Sequence, residues 1–152
     1  MVNWYKFVKS EYENIPIGYE EFNEEDYDMD SFADQAWQLA LNSPINILSD
    51  KELARVAVAD NIVLGALWTA WDRYGGFSFD VVVNPDFQRQ GVGTNLVDSA
   101  IEIFNWESDA FDNPHFDLDV TNEHMVSLLK KKGFIISGIE NGHTLMTKLE
   151  KV

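Results

Sequence analysis

The chain has 152 residues, 11 Lys and Arg against 26 Asp and Glu, a formal net charge of −15, and 45% hydrophobic with 13% aromatic residues. That balance predicts one globular domain with a real core rather than a disordered acidic chain, and it excludes a nucleic-acid backbone or an anionic membrane as main partner, since both need a cationic surface. With no Cys there is no disulfide, thiolate or cysteine–metal chemistry. No run reaches the roughly 20 apolar residues of a membrane span, and the first residues lack a signal-peptide core, so the chain reads as soluble and cytoplasmic.

The charge is uneven: ten of the 26 acids lie between Glu11 and Asp34, with no Lys or Arg among them. Such a run is either a solvated face or an electrostatic funnel for a cation. Val2–Val8 and Ile15–Phe22 each read as a first strand, and periodicity does not choose between them. Asp30 or Ser31 is the expected N-cap of a helix. On it Phe32, Ala36 and Ala40, and Ala33, Trp37 and Leu41, form two apolar rows on one face, and Ser43-Pro44 ends it.

Leu53–Ala59 and Ile62–Trp71 read as a hairpin around Asp60-Asn61, a pair that tolerates positive φ. Tyr74-Gly75-Gly76 is a second turn, and Phe77–Val83 a third strand closed by Asn84-Pro85. Val92, Leu96, Ala100 and Phe104, with Val97 and Ile101 beside them, predict an amphipathic helix. Phe116–Val120 reads as a strand. Glu123–Lys132 reads as a helix burying Met125, Val126, Leu128 and Leu129, with Lys at its negative end and Gly133 as its C′ residue. Phe134–Ile139 and Thr144–Lys148 complete a hairpin around Asn141-Gly142. The fold class is mixed α/β with a mostly antiparallel sheet.

Chemistry concentrates at Val83-Asn84-Pro85-Asp86-Phe87-Gln88-Arg89-Gln90-Gly91-Val92-Gly93-Thr94. A strand gives way to a polar loop, and two glycines open an amphipathic helix whose first N–H groups have no intrahelical acceptor. With the positive end of the helix dipole behind them, these groups make an anion site suited to phosphate. Glycine at 91 and 93 lets the backbone approach the ligand. The dinucleotide fingerprint fits poorly, because Leu96 stands where its third glycine belongs and a meander precedes it. The triphosphate loop fits worse, since no Gly-Lys-Ser/Thr follows. His115, His124 and His143 share no metal-ligand spacing and read as surface or packing residues, so no metal is expected.

Gln88-x-x-Gly91-x-Gly93 after Val83-x-Pro85 resembles the acetyl-coenzyme A motif of the GNAT family of N-acetyltransferases. Leu118-Asp119-Val120, then Asn122-x-x-Met125-x-x-Leu128-Leu129-x-x-x-Gly133-Phe134, resembles that family's second motif at its usual spacing, and Ile62-Val63-Leu64-Gly65 its third strand. The resemblance covers roughly 52–148 and implies a single acyl-coenzyme A N-acyltransferase domain over 1–152, with 1–50 as an acidic acceptor-side segment and 51–148 as the coenzyme core. It implies that Gln88, Arg89, Gln90, Gly91, Val92, Gly93 and Thr94 hold the pyrophosphate, with Arg89 adding a charge-assisted contact. It further implies that Val81, Val82 and Val83 pair with the pantetheine arm, that the thioester enters the gap between this strand and Leu118–Val120, and that Asn122 contacts the pantetheine end.

The resemblance departs at the catalytic groups. Leu129 stands where many members carry a Tyr that protonates the departing thiolate. Phe77 and Phe79 occupy positions where members often place a base; with Trp71 they read instead as core, or as lining for an acceptor cleft. Asp119 matches the Glu that serves as base in some relatives and is the preferred candidate, beside a water relay; Asp80, of opposite strand parity to the two rings, is a weaker one.

The leading reading is transfer of acetyl from acetyl-coenzyme A to a cationic primary amine, by direct attack. The alternatives are an acyl-coenzyme A-binding module without efficient transfer, and an interaction protein whose acidic surface mimics a nucleic acid. A homodimer stays open.

Overall fold

The computed structural model describes residues 3–7, 14–17, 29–42, 51–88 and 91–148, with side chains from Ser31 onward. In chain order the elements are β1 (Asn3–Phe7), β2 (Asn14–Ile17), α1 (Met29–Leu41), β3 (Glu52–Ala59), β4 (Ile62–Trp71), β5 (Gly76–Val83), α2 (Val92–Glu107), β6 (His115–Phe116), β7 (Leu118–Val120), α3 (Glu123–Lys131), β8 (Phe134–Glu140) and β9 (His143–Lys148). The strands form a six-stranded sheet in the order β2-β1-β3-β4-β5-β6 and a three-stranded sheet in the order β7-β9-β8. Pairing is mostly antiparallel; β6 runs parallel to β5, with Gly76 opposite His115 and Phe77 opposite Phe116.

Backbone contacts divide the chain into two compact units, residues 1–68 with 80–99, and residues 69–79 with 100–152. In the first unit both candidate stretches contribute a strand, β1 within the first and β2 overlapping the second only at residues 15–17, and the two pair with each other; residues 18–22 lie outside the described residues. β1 takes β2 on one side, with Trp4 opposite Ile17, and β3 on the other, with Trp4 opposite Ala57. The β3–β4 turn adopts left-handed backbone at Asp60 (φ 51°) and Asn61 (φ 62°), the geometry a two-residue hairpin turn of matching twist requires.

Helix α1 covers this hairpin. It starts at Met29, so Asp30 and Ser31 lie within its first turn instead of capping it. Of the two expected apolar rows only Phe32, Ala36 and Ala40 is buried, in a core shared with Val56, Val58, Val63, Ala66, Trp68 and Val82. Leu41 is 72% exposed, and Trp37, 40% exposed, reaches the core only by setting its ring edge-on to Trp68 at 5.5 Å. Adjacent rows sit about 100° apart, so a flat hairpin surface covers one of them fully. Gln35 fixes the register of helix on hairpin: its Oε1 accepts from the Val63 N–H at 2.9 Å, and its Nε2 donates to the Asn61 carbonyl at 3.0 Å.

The second unit is organised around aromatic rings. Phe104 and Phe116 stack at 4.1 Å, Trp71 and Phe111 stack at 4.1 Å, and Phe77, Phe79 and Phe134 meet these rings edge-on or tilted. Each such pair contributes about 0.5–1.5 kcal/mol beyond its area burial. The single strand expected at Phe116–Val120 is two: Asp117 donates its N–H to the Phe77 carbonyl at 2.9 Å, and from Leu118 onward the chain pairs with β9 instead. Helix α3 packs on β7 and β8. Of its four expected core residues only Leu129 is fully buried; Met125, Val126 and Leu128 are half-buried. The β8–β9 turn is left-handed at Asn141 and Gly142, as a type I′ turn needs.

The Gln35 contacts yield a stability prediction. Gln35→Ala leaves the buried Val63 N–H unpaired and is expected to lower the unfolding free energy by about 1–3 kcal/mol, read from urea denaturation midpoints at constant slope. Gln35→Glu keeps the acceptor for Val63 and should cost less; equal losses would assign the effect to packing rather than to the hydrogen bond.

Candidate active site

The loop that leaves β5 is held by Asn84. Its N–H donates to the Leu64 carbonyl at 2.7 Å, its Nδ2 donates to the Val63 carbonyl at 3.2 Å, and its Oδ1 accepts from the Asp86 N–H at 3.1 Å. Its own carbonyl accepts from the Phe87 N–H at 2.9 Å. These bonds tie the end of β5 to β4 and wind Pro85–Phe87 into a 3-10 turn. Gln88 is exposed and extended beyond that turn; Arg89 and Gln90 lie outside the described residues.

Gly91 then stands at φ +80°, a conformation that L side chains rarely adopt, and a Cβ built on it would meet nothing within 4 Å among the described residues. The first bond of α2 runs from the Asn95 N–H to the Gly91 carbonyl at 3.0 Å, so the N–H groups of Val92, Gly93 and Thr94 precede the bonded ladder. At Gly93 a Cβ would approach only Val83 Cγ2, at 3.4 Å, an ordinary contact, so packing does not itself demand glycine there. Gly91 is required by backbone conformation, and the space beside it, open among the described residues, suits a ligand brought close to the backbone.

The position of α2 depends on a glycine in β4. A Cβ at Gly65 would lie 2.8 Å from Val92 Cγ1, 3.0 Å from Leu96 Cδ1 and 3.0 Å from the Val82 carbonyl oxygen. The first turn of α2 therefore rests directly on the β4 backbone.

Along β5, Val81 and Val82 are buried and Val83 is half-buried. The Phe77 carbonyl bonds toward β6 and the Asn84 N–H toward β4; two-residue parity then turns the N–H and C=O groups of Val81 and Val83 to the β6 side and those of Val82 to β4. Since β6 pairs only with Gly76 and Phe77, Val81 and Val83 have no strand partner on that side among the described residues. Asp80 is engaged by Lys51, whose Nζ stands 2.7 Å from its Oδ2, with both side chains 15% exposed.

In the second unit, Asn122 is the N-cap of α3: its Oδ1 accepts from the N–H groups of His124 at 2.8 Å and Met125 at 3.3 Å. Asp119, on the exposed face of β7 between buried Leu118 and Val120, has its Oδ1 2.6 Å from His143 Nδ1. His115 Nδ1 is 2.8 Å from the Asn113 carbonyl oxygen. Phe77 is 0% and Phe79 8% exposed, which removes Phe77 as lining for a cleft and leaves Phe79 little surface; half-buried Trp71 stacks on Phe111 and points its Nε1 to Glu107 at 3.4 Å. Among the described residues no group of three or more His, Asp or Glu is placed to hold a metal, and no helix is long and apolar enough to cross a membrane.

Three residues were missed by sequence reasoning. Asn84 was visible only as a strand stop, Gly65 only as part of a strand motif, and His143, 24 positions from Asp119, carried no local signal at all.

The chain belongs to the acetyltransferase (GNAT) family, whose sequence profile matches residues 4–134. Among curated protein sequences none matches it. Solved structures that share the fold include ElaA of Escherichia coli, 13% identical with a TM-score of 0.65 over 98% of this chain and 100% of that one. An acetyltransferase of the GNAT family from Streptococcus pneumoniae is 19% identical, TM-score 0.61, over 82% of this chain and 96% of that one. A Bacillus subtilis acetyltransferase in complex with CoA is 20% identical, TM-score 0.58, over 88% and 96% respectively.

Gly65 provides the mutational test of this geometry. Gly65→Val is expected to displace the first turn of α2, lowering stability by about 1–3 kcal/mol and weakening coenzyme A binding about tenfold or more, since 1.4 kcal/mol is already a factor of ten. Calorimetric titration checks this; unchanged affinity would detach the α2 N-terminus from coenzyme binding.

Proposed function

We propose that the protein is an acetyl-coenzyme A-dependent N-acetyltransferase acting on a cationic primary amine, either a small polyamine-like molecule or a basic peptide. The observation that carries this reading is Gly91 at φ +80° heading a 16-residue helix, with open space among the described residues where its Cβ would stand. An N–H cluster ahead of that helix offers directed donors and a positive dipole end to a pyrophosphate. Gln88 to Thr94, including Arg89, would bind it, and the outward N–H and C=O groups of Val81 and Val83 would pair with the pantetheine amides as an added strand would. Asn122 has its Oδ1 committed to the helix cap, so a contact with the pantetheine end falls to its amide nitrogen.

Transfer follows from alignment. A neutral amine held against the thioester carbonyl attacks without a covalent enzyme intermediate, and removing translational and rotational freedom supplies much of the rate. Asp119 is the preferred group for accepting the amine proton, ahead of Asp80, which is already paired with Lys51. The ten-acid stretch Glu11–Asp34, most of which lies outside the described residues, supplies the attraction for a protonated amine. Residues 1–50 would thus serve the acceptor and 51–148 the coenzyme, within a single N-acetyltransferase domain.

Leu129 favours a second reading. It is 1% exposed and carries no proton where many members have a Tyr, consistent with a module that binds acyl-coenzyme A and transfers slowly. A positioned acid is typically worth 10²–10⁴-fold, but a thiolate departs without one.

Two measurements separate the readings. Acetyl-coenzyme A at 100 times its Kd should stabilise the fold by about 2.7 kcal/mol in thermal unfolding; no stabilisation contradicts both. Thiol release across spermidine, an aminoglycoside and a lysine-rich peptide should then reveal turnover, with an acceptor KM that rises steeply with salt while that for acetyl-coenzyme A changes little. Binding without turnover selects the module, and equal salt dependence removes the acidic stretch from acceptor capture.

A further inference from the structure

Asp119 and His143 come from different strands and meet across a defined register. β7 and β9 pair Asp119 with Leu145 and Val120 with Thr144. Parity puts His143 on the face of Leu145, hence diagonal to Asp119. The side chains close that diagonal at 2.6 Å between Asp119 Oδ1 and His143 Nδ1. Leu118, Val120 and Met146 are buried on the opposite face and fix both strands from behind. The paired groups stay accessible, His143 46% and Asp119 59% exposed.

A carboxylate on Nδ1 has a chemical consequence. It only accepts, so the shared proton resides on Nδ1 and the neutral ring presents its lone pair at Nε2. The same division of labour orients the base of the serine hydrolase triad. A carboxylate by itself is a poor match for proton transfer near neutrality, with an ordinary pKa of about 3.9, whereas an imidazole at about 6.5 is close to it. From this geometry we infer that His143 Nε2 is the proton acceptor of the transferase and that Asp119 is the residue that positions it.

The inference rests on the N-acetyltransferase reading and reassigns its base. The acceptor ammonium gives one proton to His143 Nε2, and the neutral amine attacks the thioester carbonyl carbon. The C–N bond forms, the C–S bond breaks, the coenzyme thiolate takes up the second proton from the same nitrogen, and the His143 imidazolium returns its proton to water. Glu140, the register partner of His143 on β8, joins Asp119 as the acidic groups on this face. Lys148 lies on the other face by parity, and no other Lys or Arg occurs in β7, β8 or β9. His115 of β6 is bonded at Nδ1 to the Asn113 carbonyl.

Two measurements on the full chain test this. Nitrogen-15 NMR of the histidine rings should show neutral His143 as the Nδ1–H tautomer, with Asp119→Asn mixing the tautomers. An Nε2–H tautomer in the unmutated protein overturns the proposal whether or not an acceptor is turned over. With acetyl-coenzyme A and either spermidine or a lysine-rich peptide, His143→Gln should lower kcat/KM by about 10²–10⁴-fold and remove the acidic limb of its pH profile. Asp119→Asn should fall less, and both variants should keep the thermal shift given by acetyl-coenzyme A. A His143→Gln enzyme that binds acetyl-coenzyme A and retains the rate and pH profile of the parent overturns the dyad alone. An unmutated protein that gains no thermal shift overturns the transferase reading itself.

Discussion

The candidate coenzyme site depends on one absent methyl group. At Gly65 a Cβ would press on Val92, Leu96 and the Val82 carbonyl, so glycine at this point of β4 is what allows the first turn of α2 to lie on the strand. Asn84 fixes the other end of the same loop, through bonds to two successive β4 carbonyls. Between these anchors the chain turns through Gly91 at positive φ and delivers three backbone N–H groups ahead of the helix ladder. β4 is therefore the template for the loop, since both anchors end on it.

Charge is handled locally in this protein. A net charge of −15 would discourage a polyanionic ligand if binding relied on net charge, but backbone N–H donors and a helix dipole carry a positive potential that does not appear in a formal count. Acids placed elsewhere repel a phosphate only weakly through solvent, because screening at physiological ionic strength limits their reach to about 8 Å. An acidic chain can thus bind a phosphate-bearing coenzyme at one place and attract a cation at another. In the second unit Asp119 is likewise met locally, by His143 Nδ1 at 2.6 Å from its Oδ1.

Local patterns were legible in the sequence and long-range pairings were not. The turns at Asp60-Asn61 and Asn141-Gly142 declared themselves because their geometry demands residues that tolerate positive φ, and the loop from Val83 to Thr94 because strand end, polar stretch and glycine pair are contiguous. Helix α1 is legible from its spacing but the extent of its buried face is not, since the width of a buried stripe is set by the partner surface and not by the helix. Phe116–Val120 looked like one strand because all five residues suit extended backbone; what divides it is a change of partner at Asp117, from Phe77 to β9, which no local preference encodes. The His143 contact is unreadable for the same reason: its partner is a diagonal neighbour 24 residues away. Phe77 and Phe79 were ambiguous because aromatic residues serve core and cleft equally well, and the ring cluster around Phe116 decides in favour of core.

Binding of coenzyme A by the backbone of the β5–α2 segment is tested by titrating the nitrogen-15-labelled protein with coenzyme A and following its amides by NMR. The largest shifts are expected at the N–H groups of Val92, Gly93 and Thr94, with a second set at Val81 and Val83 and little change at Val82, whose N–H faces β4. Shifts that leave Gly91–Thr94 unmoved while clustering elsewhere would contradict it.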